Sequence, residues 1–136
     1  MKALLDTNVL SEIGKDDGNP TVKAGVAEIP AANLYVSVLT VGEIAKGIAL
    51  RTPGKKRKIL ESWLLDLETE FAGRILNVDL ETARIGGEMT ARARQSGIVI
   101  LELNGLIAAT AMRHGLHVIA QNSRDFEASG ALIIDP

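Results

Sequence analysis

The chain of 136 residues is defined first by what it lacks. It contains no cysteine, which excludes disulfide bonds and thiolate metal sites and is typical of the cytoplasm. Aromatic residues make up only 3%, so extended platforms for stacking single-stranded bases are not expected. No apolar run approaches the roughly 20 residues of a membrane helix, and the first predicted strand follows Met1-Lys2 directly, which leaves no room for a signal peptide. The formal net charge of −2 means that a nucleic-acid partner has to bind a local basic patch.

Short apolar runs alternate with segments of helical periodicity along the whole chain. This alternation predicts an α/β fold: one domain over residues 1–136, with a short parallel sheet of about five strands and helices on both faces. The predicted strands are Ala3–Leu5, Leu34–Ser37, Ile75–Val78, His117–Ala120 and Leu132–Ile134. The first predicted helix directly follows Asp6. The other five cover Thr21–Ile29 (with Pro20 as a possible first residue), Val38–Leu50, Lys55–Phe71, Leu80–Gln95 and Asn104–His114.

Asp6 stands where the first apolar strand ends and the first helix begins. In open α/β sheets, ligands bind outside the carboxyl ends of the strands, so this carboxylate is a candidate for chemistry. The alternative is that Asp6 or Thr7 only caps the helix, because both residue types are favoured at that position.

Further polar residues follow the second and fourth strands and begin one helix. Glu43 follows the second strand, although Thr40 and Glu43 also have the spacing of a capping box. Asn104 begins an alanine-rich helix, and Asn122 and Asp125 follow the fourth strand, where they could serve only as a cap and a first-turn acid. If these side chains converge, their carboxylates repel unless a hard cation binds, and Mg²⁺ or Mn²⁺ suits oxygen ligands. Such a site hydrolyses phosphodiesters.

Four motifs, in order, resemble those of PIN-domain ribonucleases of the VapC type, the toxins of bacterial VapBC toxin–antitoxin systems. They are Leu5-Asp6-Thr7-Asn8-Val9-Leu10, then Ser37, Thr40, Glu43 and Gly47, then Leu106-Ile107-Ala108-Ala109-Thr110-Ala111, and finally Asn122-Ser123-Arg124-Asp125-Phe126. The resemblance implies a Mg²⁺-dependent endoribonuclease in the cytoplasm and a homodimer. It also implies a cognate VapB-type antitoxin whose tail occupies the groove and through which alone operator DNA is bound.

The resemblance assigns catalytic roles to Asp6, Glu43, Asn104, Asn122 and Asp125, with Asp6 and Asn104 as metal ligands. The chain departs from the family pattern in two places. Asn104 occupies the position of the third family acid, and Ala120-Gln121 replaces the usual Thr-Arg before Asn122. Asparagine offers a metal its carbonyl oxygen without a charge, so weaker Mg²⁺ binding is expected. Glu102 could compensate, although a solvated position is the simpler interpretation.

Three other classes were weighed against this interpretation. A catalytically impaired binding or regulatory protein, which keeps the dimer and antitoxin contacts, is favoured by Asn104, Ala120 and Gln121. A haloacid-dehalogenase-like phosphatase would use Asp6 as nucleophile, but it requires a second Asp where this chain has Asn8. A receiver domain lacks its acidic pair here.

The remaining patterns concern surfaces and packing. The stripe Leu60, Trp63, Leu64 and Leu67 offers more apolar surface than one small sheet covers, which predicts the homodimer interface. The run Lys55–Lys58 is typical of a solvated helix face, with RNA contact as the alternative. Gly86-Gly87 is predicted to be a close-packing point, and His114 and His117 are predicted to be non-catalytic.

Overall fold

A computed structural model describes residues 1–136 as five parallel strands and six α-helices. The strands are β1 (Ala3–Leu5), β2 (Leu34–Ser37), β3 (Ile75–Leu76), β4 (His117–Ile119) and β5 (Ile133–Ile134). The helices are α1 (Thr7–Ile13), α2 (Pro20–Ala27), α3 (Val38–Ala49), α4 (Lys55–Glu70), α5 (Leu80–Gln95) and α6 (Glu102–His114). Three short 3₁₀ turns cover Ala31–Asn33, Ser123–Asp125 and Glu127–Ser129. No helix combines the length and apolar character needed to span a bilayer.

The sheet has the order β3-β2-β1-β4-β5, and all four strand pairs are parallel. The connection after β1 leads to β2 on one side, whereas the chain returns from β3 to place β4 on the other side of β1. Ligands of open α/β sheets bind where the order reverses in this way, outside the carboxyl ends of the strands. The strand order therefore places the expected ligand site at the end of β1, where Asp6 lies.

Alternate residues of β1 face opposite sides of the sheet. Ala3 and Leu5 join a core formed with α1, α2, α3 and α4, whereas Leu4 joins a second core with α5 and α6. All three residues are fully buried. A parallel strand covered on both faces is expected to be continuously apolar, which explains the Ala-Leu-Leu run. The predicted fold class and helices on both faces are confirmed.

α3 starts at Val38 as predicted, but its cap and the start of α6 differ from the sequence interpretation. The start of α3 is capped by Ser37, whose hydroxyl accepts a hydrogen bond from Leu39 N at 3.1 Å. Thr40 and Glu43 therefore lie inside the helix, and the capping-box interpretation of Glu43 is wrong. α6 begins at Glu102 rather than Asn104, with Leu101 in the cap position. Asn104 is therefore a first-turn residue of α6 and not its cap.

Other predicted boundaries need smaller corrections. α2 ends at Ala27, two residues before the predicted Ile29, and β3 ends at Leu76, because the chain after it turns toward the cap of α5 at Asp79. β4 stops one residue before Ala120, and β5 starts one residue after Leu132.

The glycine predictions are confirmed in part. A Cβ at Gly86 would lie 3.2 Å from Leu106 Cδ2, so this residue permits close packing of α5 on α6. Gly87 has no neighbour within 4 Å of its Cβ position and plays no such role. Gly115 adopts the left-handed conformation, φ 66°, that ends α6 as predicted.

The apolar stripe on α4 is largely covered by its own chain. Leu67 is buried, and Leu60, Trp63 and Leu64 pack against the core beneath α3 and α4. The free apolar surface from which the homodimer was predicted is therefore not where the sequence suggested. The homodimer itself stays a prediction.

Candidate active site

Asp6 is held at the end of β1 by its backbone. Its N–H donates to the Ile119 carbonyl of β4 at 3.0 Å, and its own carbonyl accepts from Leu10 N at 3.0 Å in the first turn of α1. Asp6 occupies the N-cap position of α1, but its side chain makes no capping hydrogen bond. The carboxylate is therefore placed by strand and helix together and is not used to stabilise the helix, which argues against the capping interpretation.

The Asp6 side chain is almost completely buried, with 6% of the residue exposed. Burial raises its pKa to about 6 from an ordinary value of 3.8, because the charged form loses its hydration. The Thr7 backbone N–H opposes this rise, while the nearby charges of Glu43 and Asp125 add to it. An acid with this environment at a strand end is a candidate functional group.

A pocket of about 210 Å³ opens above Asp6. The polar residues that line it are Asp6, Thr7, Asn8, Glu43, Asn104 and Asp125, and Leu101 and Leu103 complete the wall. The structure thus brings together four of the five predicted catalytic residues from four separate segments of the chain. Both predicted metal ligands are among them.

Glu43 projects from the second turn of α3 into this pocket and is held there by α1. The Thr7 hydroxyl donates a short hydrogen bond to Glu43 Oε1 and lies 3.4 Å from the hydroxyl of the buried Thr40. Sequence analysis treated Thr7 only as a possible cap. The contact joins two helices that are distant in sequence, so no local pattern indicated it.

Asn122 is the predicted site residue that the structure places outside the pocket. It is exposed and precedes the 3₁₀ turn that carries Asp125, whose N–H donates to the Asn122 carbonyl at 3.1 Å. No pocket contact supports the predicted catalytic role of its side chain. Ala120 is fully buried in the core, and neither Glu102 nor either histidine lines the pocket.

The donor set suits a hard divalent cation that is held by few protein groups. The pocket offers carboxylate and amide oxygens, and the buried Asp6 carboxylate has acidic neighbours but no cationic one. However, no three acidic or histidine side chains converge closely enough to hold an ion by themselves. Asp6 and the Asn104 carbonyl oxygen are the groups of this pocket that could hold an ion, together with water.

Comparison with known proteins agrees with this geometry. The PIN domain profile matches residues 3–131. The chain belongs to the PIN-domain family. The VapC ribonuclease Y4jK of Sinorhizobium fredii is 39% identical, with 98% of this chain and 96% of that protein aligned. Toxin FitB of Neisseria gonorrhoeae is 36% identical over the same shares.

A solved structure gives the same result. The FitAB complex bound to an IR36 DNA fragment contains a chain that superposes with a TM-score of 0.91 at 34% identity, covering 97% of this chain and 93% of that one. The resemblance to VapC-type PIN proteins that was drawn from four short motifs is confirmed.

Proposed function

We propose that this PIN-domain protein, taken as one domain over residues 1–136, is a Mg²⁺-dependent endoribonuclease and the toxin of a type II toxin–antitoxin pair. The observation that carries the proposal is the buried Asp6 carboxylate, which makes no capping hydrogen bond and shares a pocket with Glu43, Asn104 and Asp125. The kinship with a VapC ribonuclease supports the choice of RNA as substrate.

The pocket residues divide the work by position. Asp6 and Asn104 would hold the cation, which when bound lowers the pKa of a water molecule and offsets the charge on a phosphodiester. Thr7 keeps Glu43 turned into the pocket, where its carboxylate can orient a water molecule or take its proton. Leu101 and Leu103 form the apolar side of the pocket.

Regulation is proposed from the same kinship. The solved FitAB complex on DNA pairs a related chain with a second protein. By analogy, a VapB-type antitoxin binds and inhibits this chain, and operator DNA is contacted only through that antitoxin. The proposal places the pair in the cytoplasm, without a membrane partner.

A cleavage assay tests the proposed activity. Purified protein should cleave a structured RNA in Mg²⁺ or Mn²⁺, lose the activity in EDTA, and lose it also in the Asp6→Asn variant. Calorimetry with Mn²⁺ should show weaker binding to Asp6→Asn than to wild type. Equal Mn²⁺ affinities, or cleavage that survives EDTA, would reject the metal-dependent site.

A second candidate function keeps the fold but removes the chemistry. Asn104 brings no charge to the pocket, and the buried Ala120 supplies no hydroxyl, so an impaired protein that only binds its antitoxin is the alternative. Antitoxin binding without metal-dependent cleavage at any Mg²⁺ concentration would favour it.

A further inference from the structure

A trough of about 640 Å³ lies beside β5, on the face of the sheet that α2 covers. Its floor is apolar and is formed by Ile29, Ile119 and Ile134. One wall is the exposed side of α2, which contributes Ala24 and Glu28. No residue lines both this space, called here the β5 trough, and the candidate pocket. The trough is therefore separate from the site at the end of β1.

The strand beside the trough is less well covered than the centre of the sheet. The three residues of β1 are fully buried, whereas Ile133 and Ile134 of β5 are only half-buried. Leu132, directly before β5, is 63% exposed. Edge strands are usually protected from pairing by charged residues or proline, and β5 itself contains neither. This edge of the sheet is therefore open to a further strand.

The backbone of β5 has free groups at this edge. The N–H groups of Val118 and Ala120 donate to the carbonyls of Leu132 and Ile134 at 2.8 and 3.0 Å. Successive residues of a strand direct their N–H and C=O groups to opposite sides, so those of Ile133 point away from β4. An extended peptide can form both hydrogen bonds with Ile133, as in other cases of strand addition.

The rim of the trough is acidic. Glu28 at the end of α2 and Asp135 after β5 both line the trough, both are exposed, and neither forms an ion pair. No lysine, arginine or histidine lines it. Lysine and arginine combine an apolar stem with a cationic head, which matches an isoleucine floor below two carboxylates.

Gly25 brings the two acidic segments together. A Cβ at this position would lie 2.9 Å from Pro136 Cβ. Glycine is unfavourable inside a helix, but here it lets the chain after β5 lie against α2. Asp135 and Glu28 consequently border the same space.

We propose that β5 and the β5 trough bind an extended segment of a partner protein, which adds a strand at Ile133 and places a lysine or arginine side chain in the trough. Side chains alternate between the two faces of a strand, so those on the Ile134 side of the added strand lie over the trough. A second copy of this chain is a poor source of the segment, because its cation run Lys55–Lys58 is the first turn of a helix. The proposal does not depend on the proposed ribonuclease function.

A synthetic peptide tests the proposal on the whole protein. The probe has about six residues, the usual length of a strand, with blocked ends, a fluorescent label, and valine and threonine alternating around one central arginine. Fluorescence anisotropy should show saturable binding, and replacement of the arginine by glutamate should abolish it. Equal affinities for the two peptides would overturn the proposal.

Variants of the rim test the site of binding. Glu28→Gln and Asp135→Asn should each weaken binding about three-fold and together on the order of ten-fold, because single exposed ion pairs contribute little. Asp66→Asn, an exposed acid of α4 without an ion pair, is the matched control and should have no effect. A double rim variant that binds the peptide as tightly as wild type would reject the trough.

A second pair of variants tests the shape of the trough. Ala24→Leu places a larger side chain in it and should weaken binding of the arginine peptide. Ala27→Leu is the control, since Ala27 is exposed on α2 outside the trough. Equal effects of the two changes would mean that the peptide does not occupy this space.

N-methylated peptides test strand addition itself. One edge of an added strand faces β5 and the other faces solvent, so methylation of alternate amides should abolish binding in one set of positions and be tolerated in the other. Two sets that bind equally well would exclude the backbone pairing.

Other occupants give different results. If N-acetyl-arginine amide binds as tightly as the peptide, the trough is a site for a small cation and the proposal is rejected. If Glu43→Gln weakens peptide binding while the rim variants do not, the peptide occupies the candidate pocket, which also rejects it.

Discussion

The carboxyl group of Asp6 illustrates how a site residue can oppose the stability of its own fold. Burial raises its pKa to about 6 from 3.8, so the folded state binds this proton more tightly than the unfolded state does. Well below pH 3.8 the group is protonated in both states and does not affect the free energy of unfolding. As the pH rises through 6, the folded protein has to accommodate a buried charge, and the cost becomes complete above that pH.

Asp6→Asn is therefore expected to stabilise the protein at pH 7.5, by up to about 3 kcal/mol, since each pKa unit corresponds to about 1.36 kcal/mol. The gain should shrink as the pH falls from 6 toward 3.8 and should disappear near pH 3. Urea unfolding of wild type and variant in EDTA at both pH values measures this difference. A variant that is less stable than wild type at pH 7.5 would contradict the electrostatic description of the pocket.

Thr7 is expected to act through Glu43. Thr7→Val removes the hydroxyl that fixes the Glu43 carboxylate while keeping the side-chain volume. If Glu43 handles the proton of the attacking water, kcat should fall on the order of ten-fold or more, with KM for RNA little changed. Thr7→Ser retains the hydroxyl and should restore kcat, whereas equal losses in both variants would indicate a packing effect.

The Asn104→Asp variant is expected to bind Mg²⁺ more tightly and to cleave RNA faster than wild type. It lines the pocket from the first turn of α6, where an acid also suits the helix dipole. The added carboxylate should tighten Mg²⁺ binding and raise the cleavage rate by about ten-fold if it stabilises the transition state by about 1.4 kcal/mol. In EDTA the variant should be less stable than wild type, because a further charge faces Asp6, and Mg²⁺ should reverse the deficit.

The double variant Asn104→Asp, Asp6→Asn is the control for contaminating nuclease and should fall to background. Identical rates and identical Mg²⁺ affinities in wild type and Asn104→Asp would place Asn104 outside the metal shell.

At the scale of elements, the junction between β2 and α3 sets the direction of Glu43. Ser37 ends the strand and caps the helix in one residue, and it is fully buried. Ser37→Ala should cost about 1 kcal/mol of stability, the usual value for a lost cap. Thermal unfolding compares it with Ser62→Ala, an exposed position in α4, which should have no effect.

The order and type of the elements could be predicted because apolar periodicity is local, but the cap of α3 and the start of α6 could not. Ser37 was assigned to the strand, which left Thr40 as the apparent cap. Leu101 is a poor capping residue, and α6 begins there because Leu103 packs against the second core, a tertiary contact. Of the five residues named from the sequence, Asp6, Glu43, Asn104 and Asp125 line one pocket, while their roles stay predictions. The position of Asn122 outside the pocket depends on the path of the turn after β4, which leaves no local pattern. The Thr7–Glu43 contact joins residues 36 positions apart and left no local pattern.

At the scale of the whole molecule, charge and apolar surface are both unevenly distributed. The basic segment of residues 44–60 holds six cations and none of the seventeen acids. Exposed apolar side chains concentrate elsewhere, in the segment between α5 and α6. Ile98, Val99 and Leu101 are 48%, 76% and 68% exposed within four residues. Clustered apolar exposure of this kind is typical of a surface that another chain covers.

We therefore predict that the homodimer interface lies at this segment and not at the α4 stripe. Wild type at micromolar concentration should scatter light as twice the monomer mass of 14.5 kDa. The double variant Ile98→Ser, Val99→Ser should shift toward the monomer, because the interface loses the apolar area that stabilises it. Leu80→Ser is the control, since Leu80 is 77% exposed at the start of α5 and should not alter the mass. A monomeric wild type would refute the dimer, whereas a dimer that persists in the double variant would exclude this segment as its interface.

Because Leu101 also lines the pocket, a dimer formed here would bring the second chain beside the site, and the double variant should then also change the KM for RNA.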